Sequence, residues 1–334
     1  MWRASGSHPA SVPDPVFVEL TTRCNLRCSH CYAARDVGRA SDLPLALFQT
    51  LASDLAAAGG FGVVLSGGEP FLYPGLDKAV WAAADAGLQV GITTNGTIFS
   101  RTNLRSIRGR VSNLQVSLDS IRPDAHDALR GVKGSYHRAS TFIKEASEIG
   151  FSVTVAMVVL NWNIAEVPDA VETAYSMGAT GFRAMRVIPV GRGRDLVGQM
   201  ITPEEVSQLK DLLRRLQEVW KGRLNVSWDS EFGNSGKGYC TAGDKVLTVL
   251  SDGTVVPCSF LAEDCFVVGS LHSESIMDVW RYSPRLASFR ASPGRLDPRC
   301  PQCPYYQSCH GGCRAVRESG IWPPAAYCPV GQEG

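Results

Sequence analysis

The chain has 334 residues, of which 44% are hydrophobic and 19% are charged, and its formal net charge is +1. A balance this close to neutral, without a run of basic residues, argues against binding to nucleic acid or to an acidic membrane surface. No apolar stretch is long enough to cross a bilayer, and the N-terminus lacks the apolar core of a signal peptide, so we expect a cytoplasmic protein. Because cytoplasmic thiols are kept reduced, the eleven cysteines are candidate metal or cluster ligands rather than disulfide partners.

Between residues 16 and 222, short β-branched runs alternate with longer helical patterns. The predicted strands are 16–20, 62–66, 89–94, 113–119, 152–160 and 181–188. The predicted helices include 43–59, 75–87, 135–150 and 163–178, most of which end at a glycine. Strand-then-helix units in series indicate a parallel sheet with right-handed crossovers, and six units fall short of the eight of a full barrel. We therefore predict an α/β fold, a partial (β/α)6 barrel of the TIM type, with its active face at the C-terminal ends of the strands.

The rest of the chain differs from this barrel in amino-acid composition and in hydrophobic periodicity. Residues 1–15 form a short N-terminal segment, and residues 223–334 combine short strands and turns with loops rich in Cys, Pro and Gly. A region with so little helix or strand periodicity is expected to build little apolar core and to depend on inorganic cross-links. We predict a small cysteine-rich second domain with little regular structure over residues 223–334.

Three cysteines follow the first predicted strand, in the stretch "RCNLRCSHCY" (23–32). Cys24, Cys28 and Cys31 can hold three irons of a four-iron cluster and leave the fourth iron open to a ligand. A zinc site, or three unrelated thiols, is the alternative. The spacing Cys-x3-Cys-x2-Cys resembles the signature of radical S-adenosylmethionine (SAM) enzymes, although His30 stands where that family usually has an aromatic ring. In that family SAM chelates the open iron, and the reduced cluster splits SAM to yield a 5′-deoxyadenosyl radical that removes a substrate hydrogen.

Further motifs follow the order expected of that family. "SGGEP" (66–70) resembles the family's Gly-Gly-Glu motif, which implies that Gly67, Gly68 and Glu69 hold the SAM amino group. The resemblance implies further SAM contacts after later strands, at Asn95, Ser117, Asp119, Arg130 and Ile188. Each motif is weak alone, because turns and strand ends commonly carry such residues. Arginines near the end of the sixth strand either bind an anionic substrate or the SAM carboxylate, or are solvated rim charges: Arg183, Arg186, Arg192 and Arg194.

The C-terminal cysteines form a more specific series: Cys240, Cys258, Cys300, Cys303, Cys309, Cys313 and Cys328. This series resembles the seven-cysteine pattern of the SPASM extension of radical SAM enzymes. The resemblance implies two auxiliary four-iron clusters, one held by Cys300, Cys303, Cys309 and Cys328 and the other by Cys240, Cys258 and Cys313. With the N-terminal site, the expectation is three [4Fe-4S] clusters. A zinc-binding interaction module on an inactive barrel is the competing interpretation.

Cys265 lies outside the series and has three interpretations. It completes the cluster of Cys240, Cys258 and Cys313, or it donates a hydrogen atom to a substrate radical, or it is a small buried hydrophobic residue. Ser259 occupies the position after Cys258 where some sulfatase-maturing relatives carry a basic carboxylate, which argues against sulfatase maturation.

The resemblance implies an oxidoreductase that consumes SAM and leaves an oxidised or epimerised product. Two substrate classes stay open: a small natural product such as an aminoglycoside or aminocyclitol, and a ribosomal peptide that receives a cross-link or an epimerised residue. Many peptide modifiers of the family carry an N-terminal leader-binding domain, and fewer than twenty residues precede the first strand, which favours the small molecule. An electron donor such as flavodoxin or ferredoxin is also implied.

Overall fold

The computed structural model describes residues 10–34, 41–228, 240–303, 306 and 311–320. Within these ranges ten strands form one sheet. The strands are β1 Val16–Thr21, β2 Gly62–Gly67, β3 Gln89–Thr94, β4 Asn113–Ser117, β5 Val153–Val159, β6 Gly181–Arg186, β7 Asn225–Trp228, β8 Leu247–Val249, β9 Thr254–Val256 and β10 Gly269–Ser270. The helices of the same ranges are α1 Leu45–Ala57, α2 Leu76–Asp85, α3 Arg101–Ile107, α4 Pro123–Arg130, α5 Ser135–Ile149, α6 Val167–Ser176, α7 Pro203–Trp220, α8 Ile276–Tyr282, α9 Pro284–Ala291 and α10 Arg314–Glu318.

Strands β1 to β6 are parallel, lie side by side in chain order and are each followed by one or two helices. This arrangement confirms the six predicted units and the α/β partial barrel. The strand bounds agree with the prediction to within two residues, and the four predicted helices are present. The prediction did not include α3, α4 or α7. Of these, α7 carries a clear start signal, because Thr202 and Glu205 form a reciprocal capping box at its first turn.

The two faces of the sheet differ in polarity, because successive side chains of a strand point to opposite faces. Val18, Leu65 and Ile92 lie on the face covered by helices and are almost wholly buried in the main apolar core. The opposite, concave face carries polar residues. Arg183 Nη1 on β6 donates to Gln115 Oε1 on β4 at 2.7 Å, across the intervening β5, which places both side chains on that face.

The C-terminal region extends the same sheet on both sides. Strand β7 pairs in parallel with β6, and β8 pairs in parallel with β1, while β9 and β10 continue the edge in antiparallel fashion. Residues such as Leu247, Val255, Ile276 and Leu286 are buried completely and pack in the main core together with barrel residues. The expectation of little apolar core is therefore wrong for residues 240–303. These strands have only two or three residues each, too few to show a period in the sequence.

The described cysteines are free thiols. Among the described helices, none has both the length and the hydropathy that a bilayer-crossing segment needs.

Candidate active site

The loop after β1 places the three N-terminal cysteines at the C-terminal edge of the sheet. Cys28 is buried, Cys31 is half-buried and Cys24 is exposed. The Cys31 N–H donates to the Cys28 carbonyl at 3.2 Å, and the Leu26 N–H donates to the Cys24 sulfur at 3.4 Å. The three thiols thus share one turned loop at the predicted active face, and this loop is called the cluster loop below (residues 23–32).

The C-terminal end of α4 supports the cluster loop from one side. The Arg27 N–H donates to the Arg130 carbonyl at 3.1 Å, and the Ser29 N–H donates to the Leu129 carbonyl at 2.9 Å. Gly131 follows with φ +73°, and a Cβ there would lie 2.6 Å from the Arg27 carbonyl oxygen. Glycine is required at this position because both the backbone conformation and the close approach exclude a side chain.

The segment after β6 supports the cluster loop from another side. The Arg192 N–H donates to the Cys31 carbonyl at 3.0 Å, and Arg192 Nε donates to the Cys28 carbonyl at 2.8 Å. A Cβ at Gly191 would lie 2.5 Å from the Cys31 oxygen. Of the two sequence interpretations of Arg192, a solvated rim charge does not describe this side chain, since its guanidinium is engaged with the cluster loop.

Two glycines let the end of β2 lie directly against the cluster loop. A Cβ at Gly68 would be 2.2 Å from the Arg23 carbonyl oxygen, and one at Gly67, where φ is +130°, would be 2.4 Å from the Thr21 oxygen. The Gly68 N–H donates to the Thr21 carbonyl at 2.7 Å, and the Glu69 N–H donates to the Arg23 carbonyl at 2.8 Å. The Gly-Gly pair therefore has a steric reason here, and it delivers the following carboxyl group to the same edge.

Glu69 is completely buried and accepts three hydrogen bonds. Its Oε1 accepts from Thr94 Oγ1 at 2.7 Å and from the Phe71 N–H at 3.1 Å, and its Oε2 accepts from the Asn95 N–H at 2.7 Å. Burial raises the pKa of Glu69 to about 7, although these donors act in the opposite direction. Near neutral pH the carboxyl group is thus close to its midpoint, so a cationic or N–H-donating ligand would favour the ionised form.

Asn95 connects this carboxyl group to the cluster loop. Its Nδ2 donates to Asn25 Oδ1 at 3.0 Å and lies 3.9 Å from the Cys24 sulfur, while its Oδ1 accepts from the Thr97 N–H at 2.8 Å. Its backbone N–H is the donor to Glu69. The structure therefore brings together Glu69, Asn95 and the first cysteine, as the sequence motifs predict for one site.

Asp119 and Arg130 form a buried ion pair beneath the second cysteine. Arg130 Nε donates to Asp119 Oδ2 at 2.5 Å, and Arg130 Nη1 lies 3.7 Å from the Cys28 sulfur. The Val158 N–H donates to Asp119 Oδ1 at 3.0 Å. Burial alone raises the pKa of Asp119, but the adjacent Arg130 guanidinium outweighs it and holds that pKa well below its usual range. Both groups are consequently charged at every physiological pH.

Two histidines, His30 and His126, lie close to this ion pair, and neither of them has a role in the site predicted from the sequence. The Asp119 N–H donates to His126 Nδ1 at 3.2 Å, so the ring proton of His126 is on Nε2, which is buried and has no hydrogen-bond partner among the described residues. Burial lowers the pKa of His126 to about 4 and that of His30 to about 4, so both rings are neutral. His126 belongs to no recognisable spacing, and His30 is noted in the sequence only as an atypical residue of the cysteine motif, so the tertiary fold is needed to bring both rings beside the ion pair.

Ser117 and Ile188 occupy the expected ends of their strands. Ser117 is the half-buried last residue of β4, opposite Ala156 of β5. Ile188 is buried two residues beyond β6, and its carbonyl accepts the Val190 N–H at 2.8 Å. Their contact with SAM stays a prediction.

Cys240, Cys258 and Cys313 converge from three separate segments. Cys240 precedes β8, Cys258 follows β9, and Cys313 is the N-cap residue of α10. Burial raises the pKa of the Cys258 thiol above its ordinary value, and the neighbouring Cys240 and Cys313 thiols raise it further. The three thiols are therefore near neighbours in the fold although more than fifty residues separate the last from the others.

The other predicted auxiliary group is only partly described. Cys300 and Cys303 flank one tight turn, in which the Cys303 N–H donates to the Cys300 carbonyl at 3.1 Å. Cys309 and Cys328 lie outside the described residues. In the ranges that the structure describes, no three Cys, His, Asp or Glu side chains are gathered as ligands of a single metal ion. A four-iron cluster binds its cysteines at separate irons, so it does not need them to meet at one point.

Cys265 is exposed in the short turn Asp264–Phe266. The interpretation of this residue as a small buried hydrophobic group is therefore wrong. Its two other interpretations, cluster ligand and hydrogen donor, stay predictions.

The cluster loop and the C-terminal cysteine region contact each other directly. Tyr32, next to Cys31, packs edge-on against Phe260, two residues after Cys258, with ring centroids 4.8 Å apart. This ring pair joins the loop that carries Cys31 to the loop that carries Cys258.

Comparison with known proteins assigns a family to this site. A family model described as the Radical SAM superfamily matches residues 18–174, and one described as an iron-sulfur cluster-binding domain, SPASM, matches residues 240–304. The mycofactocin maturase MftC of Mycobacterium tuberculosis is 30% identical over 312 residues, which cover 90% of this chain and 78% of that relative. The chain belongs to the radical SAM superfamily.

Other comparisons cover most of the chain, including the residues that match the SPASM model. The sporulation killing factor maturation protein SkfB of Bacillus subtilis is 33% identical to this radical SAM chain over 279 residues, which cover 82% of the chain and 66% of that relative. The crystal structure of Streptococcus suis SuiB bound to S-adenosylmethionine superposes with a TM-score of 0.78 at 18% identity, covering 94% of this chain and 76% of SuiB. The structure of native anSMEcpe with bound AdoMet superposes with a TM-score of 0.72 at 18% identity, covering 92% of this chain and 91% of anSMEcpe. The predicted fold class, a partial barrel with a C-terminal SPASM region, is thus confirmed.

Radical SAM proteins with a SPASM region use a [4Fe-4S] cluster, SAM and auxiliary iron–sulfur clusters. The cluster loop fits such a group by its donors and its charges. Burial raises the pKa of the Cys31 thiol, and the Cys28 thiol adds to this, whereas the Arg192 and Arg130 guanidinium groups act in the opposite direction. Cations beside a set of thiols favour the anionic thiolates that iron requires.

Proposed function

We propose that this radical SAM/SPASM enzyme matures a ribosomally made peptide, by removing a hydrogen atom from one of its residues to give a cross-link or an epimerised residue. The observation that supports it most is the match to MftC, whose name describes a maturase, along 90% of this chain. SkfB, at 33% identity, is also named as a maturation protein. The small-molecule class favoured from the sequence has weaker support, since the relatives named AdoMet-dependent heme synthase are 25% and 26% identical, and the peptide alternative replaces it.

Two further observations are consistent with a peptide substrate. SuiB, which shares the fold, has been crystallised with its precursor peptide SuiA. In this chain the concave face of the sheet carries hydrogen-bonding side chains, including Gln115, Ser117 and Arg183. Backbone amides of a peptide need such partners when they are taken out of water.

The proposed roles of the N-terminal site follow its geometry. Cys24, Cys28 and Cys31 hold the SAM-binding cluster, and the buried carboxylate of Glu69 accepts a hydrogen bond from the SAM amino group. When bound, the reduced cluster supplies the electron that splits the carbon–sulfur bond of SAM, so that the nucleoside fragment can take a hydrogen atom from the peptide. Gly68 keeps the edge of β2 close enough to the cluster loop for Glu69 to reach the ligand.

For the C-terminal site we propose two auxiliary clusters, which makes three in all. Cys240, Cys258 and Cys313 are the ligands of one. The other is held by the second predicted group, of which two members are described: Cys300, Cys303, Cys309 and Cys328. An external one-electron donor such as flavodoxin or ferredoxin completes the system.

The test is to combine anaerobically reconstituted enzyme, SAM and dithionite with short peptides encoded beside its gene, and separately with aminocyclitols. The expected result is 5′-deoxyadenosine formation and a mass change, or a change of residue configuration, only with a peptide. Deuterium placed at the attacked carbon should appear in 5′-deoxyadenosine. The matched control is the triple variant Cys24→Ala, Cys28→Ala, Cys31→Ala, which should give neither product.

Two outcomes would contradict the proposal. Deuterium transfer from an aminocyclitol with every peptide left unmodified would restore the small-molecule interpretation. Zinc without iron or sulfide after anaerobic purification would remove the radical chemistry altogether.

A further inference from the structure

The buried guanidinium of Arg130 reaches the sulfur of a cluster-loop cysteine. Arg130 is 7% exposed, Cys28 is 8% exposed, and the Nη1–Sγ distance of 3.7 Å is that of a hydrogen bond to sulfur. The family resemblance assigns Arg130 to the SAM carboxylate. In this structure, however, two of its nitrogens already have partners inside the protein, the Asp119 carboxylate and the Cys28 sulfur.

The orientation of this guanidinium is fixed by its surroundings. Asp119, which accepts from Arg130 Nε, is wholly buried and is held by the Val158 N–H and, through its own carbonyl, by Asn163 Nδ2 at 2.8 Å. The Arg130 carbonyl accepts the Arg27 N–H of the cluster loop. The side chain and the backbone of Arg130 thus both bind the element that carries the cysteines, which leaves little freedom to turn away.

We propose that Arg130 is a positioning residue that donates a charge-assisted hydrogen bond to the Cys28 thiolate and thereby raises the reduction potential of the N-terminal cluster. The inference rests on the proposed cluster at Cys24, Cys28 and Cys31, but not on the identity of the substrate. Reduction adds one electron, delivered by the external donor, and makes the cluster and its thiolates more negative. A buried cation and an N–H donor at the sulfur stabilise that reduced state more than the oxidised one.

The decisive variant is Arg130→Gln, which removes the charge but leaves a side chain able to hydrogen-bond. Arg27→Gln is the matched control, because Arg27 lies in the same loop and carries the same charge, but its side chain is exposed. Exposed charges are screened by water and contribute little. Arg130→Lys is the second variant, since an ammonium keeps the charge but lacks the fork that serves Asp119 and Cys28 together.

The measurement is a redox titration of the reconstituted full-length protein followed by EPR, without SAM. The N-terminal signal is the one that disappears in the Cys24→Ala, Cys28→Ala, Cys31→Ala variant. We expect Arg130→Gln to lower the equilibrium constant for reduction at least about tenfold, which is about 59 mV for a one-electron couple. Arg130→Lys should lower the reduction potential of the N-terminal cluster less, and Arg27→Gln should leave that potential unchanged.

Each other outcome has a definite meaning. If Arg130→Gln keeps the wild-type reduction potential of the N-terminal cluster, the inference is overturned. Weaker SAM binding by that variant would then show that Arg130 serves SAM binding alone. Loss of iron from both Arg130 variants but not from Arg27→Gln also overturns it, in favour of a purely structural role. If the wild-type protein itself shows no N-terminal iron–sulfur signal, it is the proposed function that fails.

Discussion

Glu69 makes the proposed affinity for SAM depend on pH. Its pKa is raised by burial to about 7, so about one eleventh of the carboxyl groups are ionised at pH 6 and about ten elevenths at pH 8. The contact with the SAM amino group is therefore lost as the pH falls through 7. Glu69→Gln has nearly the same shape but never ionises. The ratio of wild-type to variant affinity should thus be about ten times larger at pH 8 than at pH 6.

The assay is an anaerobic titration of reconstituted wild-type and Glu69→Gln protein with SAM at pH 6, 7 and 8, followed by the EPR signal of the reduced cluster. Ionisation of SAM itself affects both proteins equally and cancels in the ratio. Equal iron content in the two proteins is the control for folding. A ratio that stays constant from pH 6 to pH 8 would refute the reasoning, because the carboxyl group then either does not titrate in this range or does not meet the amino group.

Three further changes test the site. Gly68→Ala places a Cβ 2.2 Å from the Arg23 carbonyl oxygen and should lower the iron bound per chain. Gly87→Ala is the control, because Gly87 has φ +92° but no atom within 4 Å of its added Cβ, and it should keep its iron. Equal iron content in the two variants would contradict the steric argument. Tyr32→Leu and Phe260→Leu should show a coupling of about 1 kcal/mol in a double-mutant cycle of anaerobic unfolding, and strictly additive losses would exclude it. Cys265→Ala should keep its iron and form 5′-deoxyadenosine without completing an epimerised product; lost iron would indicate a ligand instead.

The barrel was predictable because its strands are runs of five to seven residues, most of them rich in β-branched side chains, and four of the helices between them show a recognisable period. Strands β8 to β10 were not, because two or three residues show no alternation. The pairing of β8 with β1 joins residues more than two hundred positions apart, and no local pattern specifies such a partner.

In the site, the residues with the strictest chemistry were predictable from the sequence. The cysteine triplet and the Gly-Gly-Glu motif are weak singly, but they follow one another in the order expected of the family, so Cys28, Gly68 and Glu69 could be named in advance. The partners of Arg130 and Arg192 could not, because several acceptors lie within reach of a long side chain. Which one it meets depends on how the α4 and β6 ends pack on the cluster loop.

The parallel pairing of β8 with β1 has a consequence for biosynthesis. On the ribosome, β1 is made more than two hundred residues before Val249 completes its neighbour on one side. The strand that leads into the cysteine loop therefore has an open edge until β8 has been made, and such an edge can pair with other chains.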